Sequence, residues 1–290
     1  MEDLRQSLTL YAYNILGSYE DAKDIVQDVF LKFSELDSQK IADQKNYLIR
    51  MVVNLSIDHK RKLKLQQKNY PGPWLPEPIA TEDPHFAVHR KEILSYSVLV
   101  LLEKLDSRQR AVFILKEAFD YDHDEIARVL GISVENSRKI LSRAKNVLRS
   151  DISVRPDGRQ LDILHQYLAV LEGGDMQALE QLLNQDITVM SDGGGKASAF
   201  RNVITGAKSV GALLTGLYKK MYRHVSSEIT WINHQPAIFY LSEGEIITCQ
   251  IFSIRNQQLD HVFFIRNPDK LRMLQKESLK TVTFFERSSF

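Results

Sequence analysis

Two stretches of the chain concentrate cations where a polyanion could be held. His59 to Lys68, "HKRKLKLQQK", carries five Lys/Arg and no acid. Val134 to Ser150 carries five more (Arg138, Lys139, Arg143, Lys145, Arg149) against one acid, Glu135. In the second stretch Asn136, Ser137, Arg138, Lys139 and Arg143 are residue types that bond phosphates and base edges. In the first, Asn54, Asp58 and Arg61 line one polar side at helical spacing, with Lys62 and Lys64 following. The alternative reading of either stretch is a charged face turned to water. The opposite sign appears earlier, where Glu20, Asp21, Asp24 and Asp28 share a helix face that would repel DNA; beside two basic modules it suggests a protein partner instead.

A third stretch, "DGGGK" at Asp192–Lys196, sets three glycines between opposite charges. Glycine loses the most backbone freedom on folding, so such a run needs a reason. A phosphate loop, a hairpin and a surface that another segment approaches closely are the options. The pattern GxxxxGK[ST] is not met, because Ala197 follows Lys196. Catalytic sets are otherwise missing from the pattern. His224, His234 and His261 are isolated, no GxSxG occurs, and Cys249 sits in a strand-like run as a small hydrophobe would. Asp260 and His261 are adjacent, and neighbouring strand residues point to opposite faces. Neither an enzyme nor a metal or cofactor site is expected.

The elements that must position these residues are legible in part. Leu4, Leu8, Tyr11 and Ile15 recur at helical spacing, Gly17 ends that helix, and Ser18 caps the next. Ala22, Ile25, Val26, Val29, Phe30 and Phe33 form its apolar face. A third helix runs from about Asn46 to Leu65. Residues 69–84, "NYPGPWLPEPIATEDP", hold five of the eight prolines and read as a stiff linker; its large indole, Trp74, is unusual in a passive tether. Helices resume near Phe86. "DHDEIARVLGISVENSRKILSRAKNVLRS" has Gly131 at a left-handed turn, Ile132 in the corner and Ser133 as cap, a helix-turn-helix pattern. After Pro156, two helices (about 161–172 and 175–185), a strand ending in "DGGG", a helix near 207–221 and four alternating strand-like runs make an α+β domain with a curved antiparallel sheet.

The chain has 290 residues, 43% hydrophobic and 26% charged, with a net charge of +1. That is the composition of a globular protein of two or three domains. The one cysteine excludes an internal disulfide. The N-terminus is acidic and no long apolar stretch follows, so neither a leader nor a membrane span is expected, and the location expected is cytoplasmic.

The first 150 residues resemble the extracytoplasmic-function (ECF) sigma factors of bacterial RNA polymerase. "YNILGSYEDAKDIVQDVFLKF" looks like the core-binding helix of region 2, "NYLIRMVVNLSIDHKRK" like the −10-reading helix, and "LLEKLDSRQRAVFILKEAFDYDHDEIARVLGISVENSRKILSRAKNVLR" like region 4. The remainder is similar to the subgroup with a SnoaL-like C-terminal domain, marked by "WLPEP" (Trp74, Leu75, Pro76, Glu77, Pro78), "DGGGK" and "NPDKL" (Asn267, Pro268, Asp269, Lys270, Leu271). The resemblance implies two all-α sigma domains, residues 1–68 and 86–151, joined by a linker at 69–85, and a SnoaL-like α+β cone at 155–287. It implies core RNA polymerase on Asp24, Gln27 and Asp28. It implies −10 DNA on Asn54, Asp58, Arg61, Lys62 and Lys64, and −35 DNA on Asn136, Ser137, Arg138, Lys139 and Arg143. Regulation in cis would fall to Trp74, Leu75, Pro76, Glu77, Asp192, Gly193, Gly194, Gly195, Lys196, Asn267, Asp269 and Lys270, with Asp192 and Lys196 pairing with Glu77 or a nearby basic group. A small ligand of the C-terminal domain is left open. The competing readings are a ligand-sensing, dimeric DNA-binding regulator and a SnoaL-type enzyme with an appended DNA-binding segment.

Overall fold

A computed structural model describes residues 2–37, 41–148 and 159–275. The junction placed at 151–155, the domain end at 287 and Arg149 lie outside these residues. The described chain divides into two compact bodies. The first takes in the residues up to Asn69, Phe86–Leu94 and the helices from Val98 to Leu148. The second takes in Tyr70–His85, Ser95–Ser97 and the residues from Arg159 onward.

The first body is helical. α1 (Glu2–Leu16), α2 (Tyr19–Ser34) and α3 (Gln44–Gln67) pack through Leu8, Ala12, Ile15, Ala22, Val26, Val29, Leu48 and Val52, all buried. Gly17 takes a left-handed φ of 76°, and Ser18 Oγ accepts from Asp21 N at 3.2 Å. These two residues stop one helix and start the next within a single turn. α4 (Tyr96–Leu102), α5 (Ser107–Glu117), α6 (His123–Leu130) and α7 (Val134–Leu148) follow. Asp106 and Asp122 form capping boxes with Gln109 and Glu125. Gly131, at φ 63°, turns α6 into α7, and Ser133 Oγ caps α7 through Asn136 N. Ile126, Leu130, Ile140, Leu141 and Ala144 are buried around this turn.

The second body sets α8 (Arg159–Gly173), α9 (Met176–Leu182) and α10 (Ala207–Leu217) against one face of a six-stranded sheet. The strands are β1 (Leu183–Asp192), β2 (Ile204–Thr205), β3 (Ser226–Ile232), β4 (Gln235–Ser242), β5 (Glu245–Arg255) and β6 (Gln258–Ile265), in the order β2-β1-β6-β5-β4-β3. Leu164, Tyr167, Val210, Leu214, Ile238, Phe252, Val262 and Phe264 fill this core. The sheet is mixed, not purely antiparallel as expected, because β1 runs parallel to β6 with Asp192 opposite Ile265. Parallel neighbours end at the same edge of a sheet, so the residues just after β1 and just after β6 must lie side by side. Those residues are "DGGGK" and "NPDKL".

Candidate functional site

Asp192 closes β1 with a fully buried side chain. A buried carboxylate must be paired and hydrogen-bonded, and this one is. Oδ2 accepts from Leu75 N at 2.9 Å and from Lys270 Nζ at 2.6 Å. Oδ1 accepts from the Tyr70 hydroxyl at 2.5 Å and from Gly194 N at 3.0 Å. Its backbone carbonyl accepts from Arg266 N and Asn267 N at 2.8 and 2.9 Å. One residue thus joins the linker, the glycine turn and the segment after β6. Lys270 also donates to Leu75 O and places its ammonium 4.1 Å over the Trp74 ring, a cation–π contact. Burial first, then the Asp192 hydrogen bond, pushes the Tyr70 phenol well above its ordinary range, so it stays a proton donor.

The glycines are explained by what surrounds them. A Cβ on Gly193 would lie 2.2 Å from Ala197 O, and one on Gly194 2.4 Å from Asn267 Nδ2. Gly194 and Gly195 both have positive φ, 62° and 71°, and a Cβ on Gly195 would press on the linker at Pro71, 3.1 Å away. Asn267 Nδ2 donates to the Tyr70 hydroxyl at 3.2 Å. Lys196 reaches Asp269, at 2.5 Å, instead of the expected Glu77. Glu77 is buried in the linker.

Beyond Asp192 the linker continues along the sheet. Leu75, Pro76, Glu77, Pro78 and Ile79 are buried. Tyr96 donates to Pro76 O at 2.6 Å while its ring lies 5.3 Å from Phe263, on the sheet face opposite the helices. At the far side the linker pairs with the edge strand β3. Ala80 bridges Ile232, Thr81 N donates to Trp231 O at 3.1 Å, and Asn233 N donates to Ile79 O at 2.9 Å. Asn233 Oδ1 accepts from Ile79 N at 2.9 Å. The linker is a seated element of this body, and an open edge is partly covered by it.

In the helical body Asp24, Gln27 and Asp28 are exposed together on α2. On α3, Asp58, Arg61 and Lys62 are exposed, with Asp58 and Arg61 paired at 2.8 Å. Asn54 and Lys64 are differently engaged. Asn54 Nδ2 donates to Val129 O in α6 at 3.0 Å, and Lys64 donates to the carbonyls of Glu103 and Leu105. On α7, Asn136, Arg138, Lys139 and Arg143 are exposed, and Lys139 pairs with Glu135 at 2.6 Å. Ser137 is the exception. Expected on the solvent side, it is fully buried, 2.9 Å from His123 Nδ1, so it fastens α6 to α7 and presents nothing to a base.

Sequence reasoning missed a buried cluster in the same body. Lys60 is fully buried and donates to Leu16 O at 2.8 Å and to both Glu103 oxygens at 2.9 Å. Arg110, also fully buried, donates to Asn14 O at 2.9 Å and to Glu103 Oε1. The carbonyls of Asn14 and Leu16 belong to the last turn of α1, where the helix dipole is negative. Burial, then the Arg110 charge, lowers the Lys60 ammonium to about 7. Burial pushes the Glu103 carboxyl up, but Arg110 and Lys60 outweigh it and hold it below its usual range. The two shifts agree: one carboxylate faces two cations, so the anion is favoured and one cation is in excess. Tyr11, whose ring stacks on Phe119 with centroids 3.6 Å apart, adds an aromatic contact between α1 and the segment after α5.

Family models for Sigma-70 region 2 and Sigma-70 region 4 match residues 1–66 and 96–148. The chain is 33% identical over 287 residues to the ECF RNA polymerase sigma factor SigJ of Mycobacterium tuberculosis (strain ATCC 25618 / H37Rv), covering 93% of this chain and 91% of SigJ. It belongs to the ECF RNA polymerase sigma factors. The crystal structure of M. tuberculosis SigJ superposes with a TM-score of 0.76 at 29% identity, over 93% of this chain and 96% of that one. The ECF sigma factor SigW of Bacillus subtilis (strain 168) is 28% identical over 156 residues, 48% of this chain and 80% of SigW. As an ECF sigma factor the protein works with core RNA polymerase on promoter DNA and directs transcription initiation; it is not an enzyme. Its C-terminal body is α+β, and the match to SigJ extends over it. No described helix is long and apolar enough to cross a membrane.

Proposed function

We propose that the C-terminal body controls this sigma factor in cis by holding the linker between regions 2 and 4. The observation that carries this reading is the buried Asp192 carboxylate, which Leu75 N, Tyr70 and Lys270 satisfy together. All three motifs that resemble the SnoaL-bearing subgroup contribute: Trp74, Leu75, Pro76 and Glu77 from the linker; Asp192 to Lys196 from the glycine turn; Asn267, Asp269 and Lys270 after β6. A linker held this firmly fixes where its two ends begin and end, and so limits the separations the two DNA-reading modules can adopt.

In this reading Asp24, Gln27 and Asp28 dock on core polymerase, in the cytoplasm where polymerase and DNA are. Asp58, Arg61 and Lys62 face the −10 element, joined by Asn54 and Lys64 once their bonds to Val129 O and Leu105 O are released. Asn136, Arg138, Lys139 and Arg143 read the −35 element. The form described is therefore the resting one. A small molecule taken up inside the C-terminal body would meet Gln250, whose Oε1 is buried without a hydrogen-bond partner while its Nε2 donates to Tyr167. In vitro transcription with core polymerase tests the reading. Variants of Asp192 and Lys270 should change promoter output with Asp24, Arg61 and Arg143 intact, and Asp24→Lys with Asp28→Lys should abolish core binding without unfolding the chain. Equal output from wild type and the linker-dock variants would refute control through the linker.

A further inference from the structure

The end of α10 carries a feature that neither promoter reading nor linker docking uses. At Tyr218–Tyr222 the helix widens into a π turn, closed by Arg223 N donating to Tyr218 O at 2.9 Å. Such turns are uncommon and recur at functional sites. This one turns Tyr222 inward, where its ring stacks on Tyr240 with centroids 4.0 Å apart and its hydroxyl meets Thr248 Oγ1 at 3.2 Å. The sequence "YKKMYRH" then places Lys219, Lys220, Arg223 and His224 on the outer side, all exposed. Lys219 and Arg223, and Lys220 and His224, stand four apart, a spacing at which helix positions are neighbours.

None of these four side chains forms an ion pair among the described residues. Burial first, then the charge of the nearby Glu172, raises the Tyr218 phenol above its ordinary value, so that acid lies toward Tyr218. Cations at a helix C-terminus are favoured by the dipole, but that accounts for one or two at the last turn, not for a rigidly mounted, unpaired set. The face also lacks what a protein interface centres on. The exposed large apolar residues among the described ones (Leu31, Leu36, Leu65, Val88, Val147 and Val203) all lie elsewhere. Closely set cations without an apolar centre fit an evenly charged polyanion, and this chain already works on one.

We propose that Lys219, Lys220, Arg223 and His224 form a third DNA contact, a sequence-independent hold on the phosphate backbone supplied by the C-terminal body. Contacts of this kind release counterions, and each steepens the dependence of log affinity on log salt by about 0.9. The test uses holoenzyme, core polymerase plus the full chain, on a promoter duplex selected by that holoenzyme from a random library. Lys219→Gln, Lys220→Gln and Arg223→Gln are combined; all three sites are exposed, so folding is preserved and is checked by thermal unfolding. The salt slope should become shallower by about 2.7 if each of the three cations meets a phosphate, with the preference for promoter over random duplex unchanged. Affinity for core polymerase, measured without DNA, should also be unchanged. An unaltered slope overturns the proposal. So does a loss of core binding with the slope intact, which would make the face a protein contact.

Discussion

Asp192→Asn is the sharpest perturbation of the linker dock, because it preserves shape and removes only charge and acceptor capacity. In the wild type the carboxylate accepts four hydrogen bonds at 2.5 to 3.0 Å, one of them from the Lys270 ammonium. The asparagine brings one acceptor oxygen and an amide that can only donate, so either Leu75 N and Lys270 or Tyr70 and Gly194 N lose their acceptor, and Lys270 loses its counter-charge in both cases. Removing one member of a buried ion pair costs about 3–5 kcal/mol. Lys270 keeps 11% side-chain exposure and still has Leu75 O and the Trp74 ring, so the low end, about 3 kcal/mol, is appropriate. At roughly 1.4 kcal/mol per factor of ten, the linker should open about a hundredfold more often. Hydrogen exchange reads this directly, since the Leu75 amide is protected by Asp192 itself. Exchange at Leu75 should accelerate about a hundredfold, while amides of β4 and β5 keep their wild-type rates. Unchanged exchange at Leu75 would refute the idea that Asp192 holds the linker, and acceleration throughout β4 and β5 would mean that it instead supports the whole body.

Gly194→Ala should lower the melting temperature more than Gly244→Ala: both residues have positive φ, but the first Cβ runs into Asn267 at 2.4 Å while the second meets nothing within 4 Å. The strain common to both is about 1 kcal/mol, and the excess at Gly194 measures the collision. For Lys60 the folded pKa lies below the unfolded value of about 10.4, so the unfolded chain binds more protons between pH 7 and that value. Stability of the helical body should therefore rise with pH across this window, with a slope approaching 1.4 kcal/mol per unit. Urea unfolding at a series of pH values checks this, and Lys60→Met should flatten the curve. Arg138→Ala or Arg143→Ala should cost about 1–3 kcal/mol at particular −35 bases if either makes a bidentate base contact; a promoter-mutation series scores it. Ser137→Ala should leave base preference alone and lower helix-turn-helix stability by about 1 kcal/mol, seen by thermal unfolding.

The parts that could be read from sequence are those whose cause is local. Gly17 and Ser18, Gly131 and Ser133, and the prolines of 71–84 act within a few residues of themselves, and each sits where expected. The division of labour in "HKRKLKLQQK" is less legible, because a dense run of like charges suggests one basic face. A helix turns about 100° per residue, so consecutive cations cannot share a face. Ile49, Val52, Val53, Ser56, Ile57 and Lys60 are all buried and step along α3 by three and four, and Lys64 extends the series. Lys60 and Lys64 are thus on the inward stripe, while Arg61 and Lys62 face out. That stripe was visible in the spacing; its partners were not. Glu103 and Arg110 lie 43 and 50 residues beyond Lys60, and nothing local marks them.

The same distinction separates the two ways that "DGGGK" could be approached. Its glycines signal that something comes close, but what comes close is decided by pairing between distant strands. Four of the six strands follow one another as hairpins, and the turns announce them. The parallel pairing of β1 with β6 has no turn to announce it, and it is this pairing that sets Asp192 beside Asn267 and Lys270. Once the two strand ends are adjacent, the chemistry leaves little choice. A carboxylate at 0% exposure needs a cation and several donors. Lys270 arrives one turn after β6, and the remaining donors come from Tyr70, Leu75 and Gly194. The linker therefore supplies hydrogen bonds to a carboxylate that would otherwise be buried short of partners, and its release would leave Asp192 short of them. In the proposed control that coupling gives the dock its two states: the linker seated with the carboxylate satisfied, or the linker free with the turn rearranged.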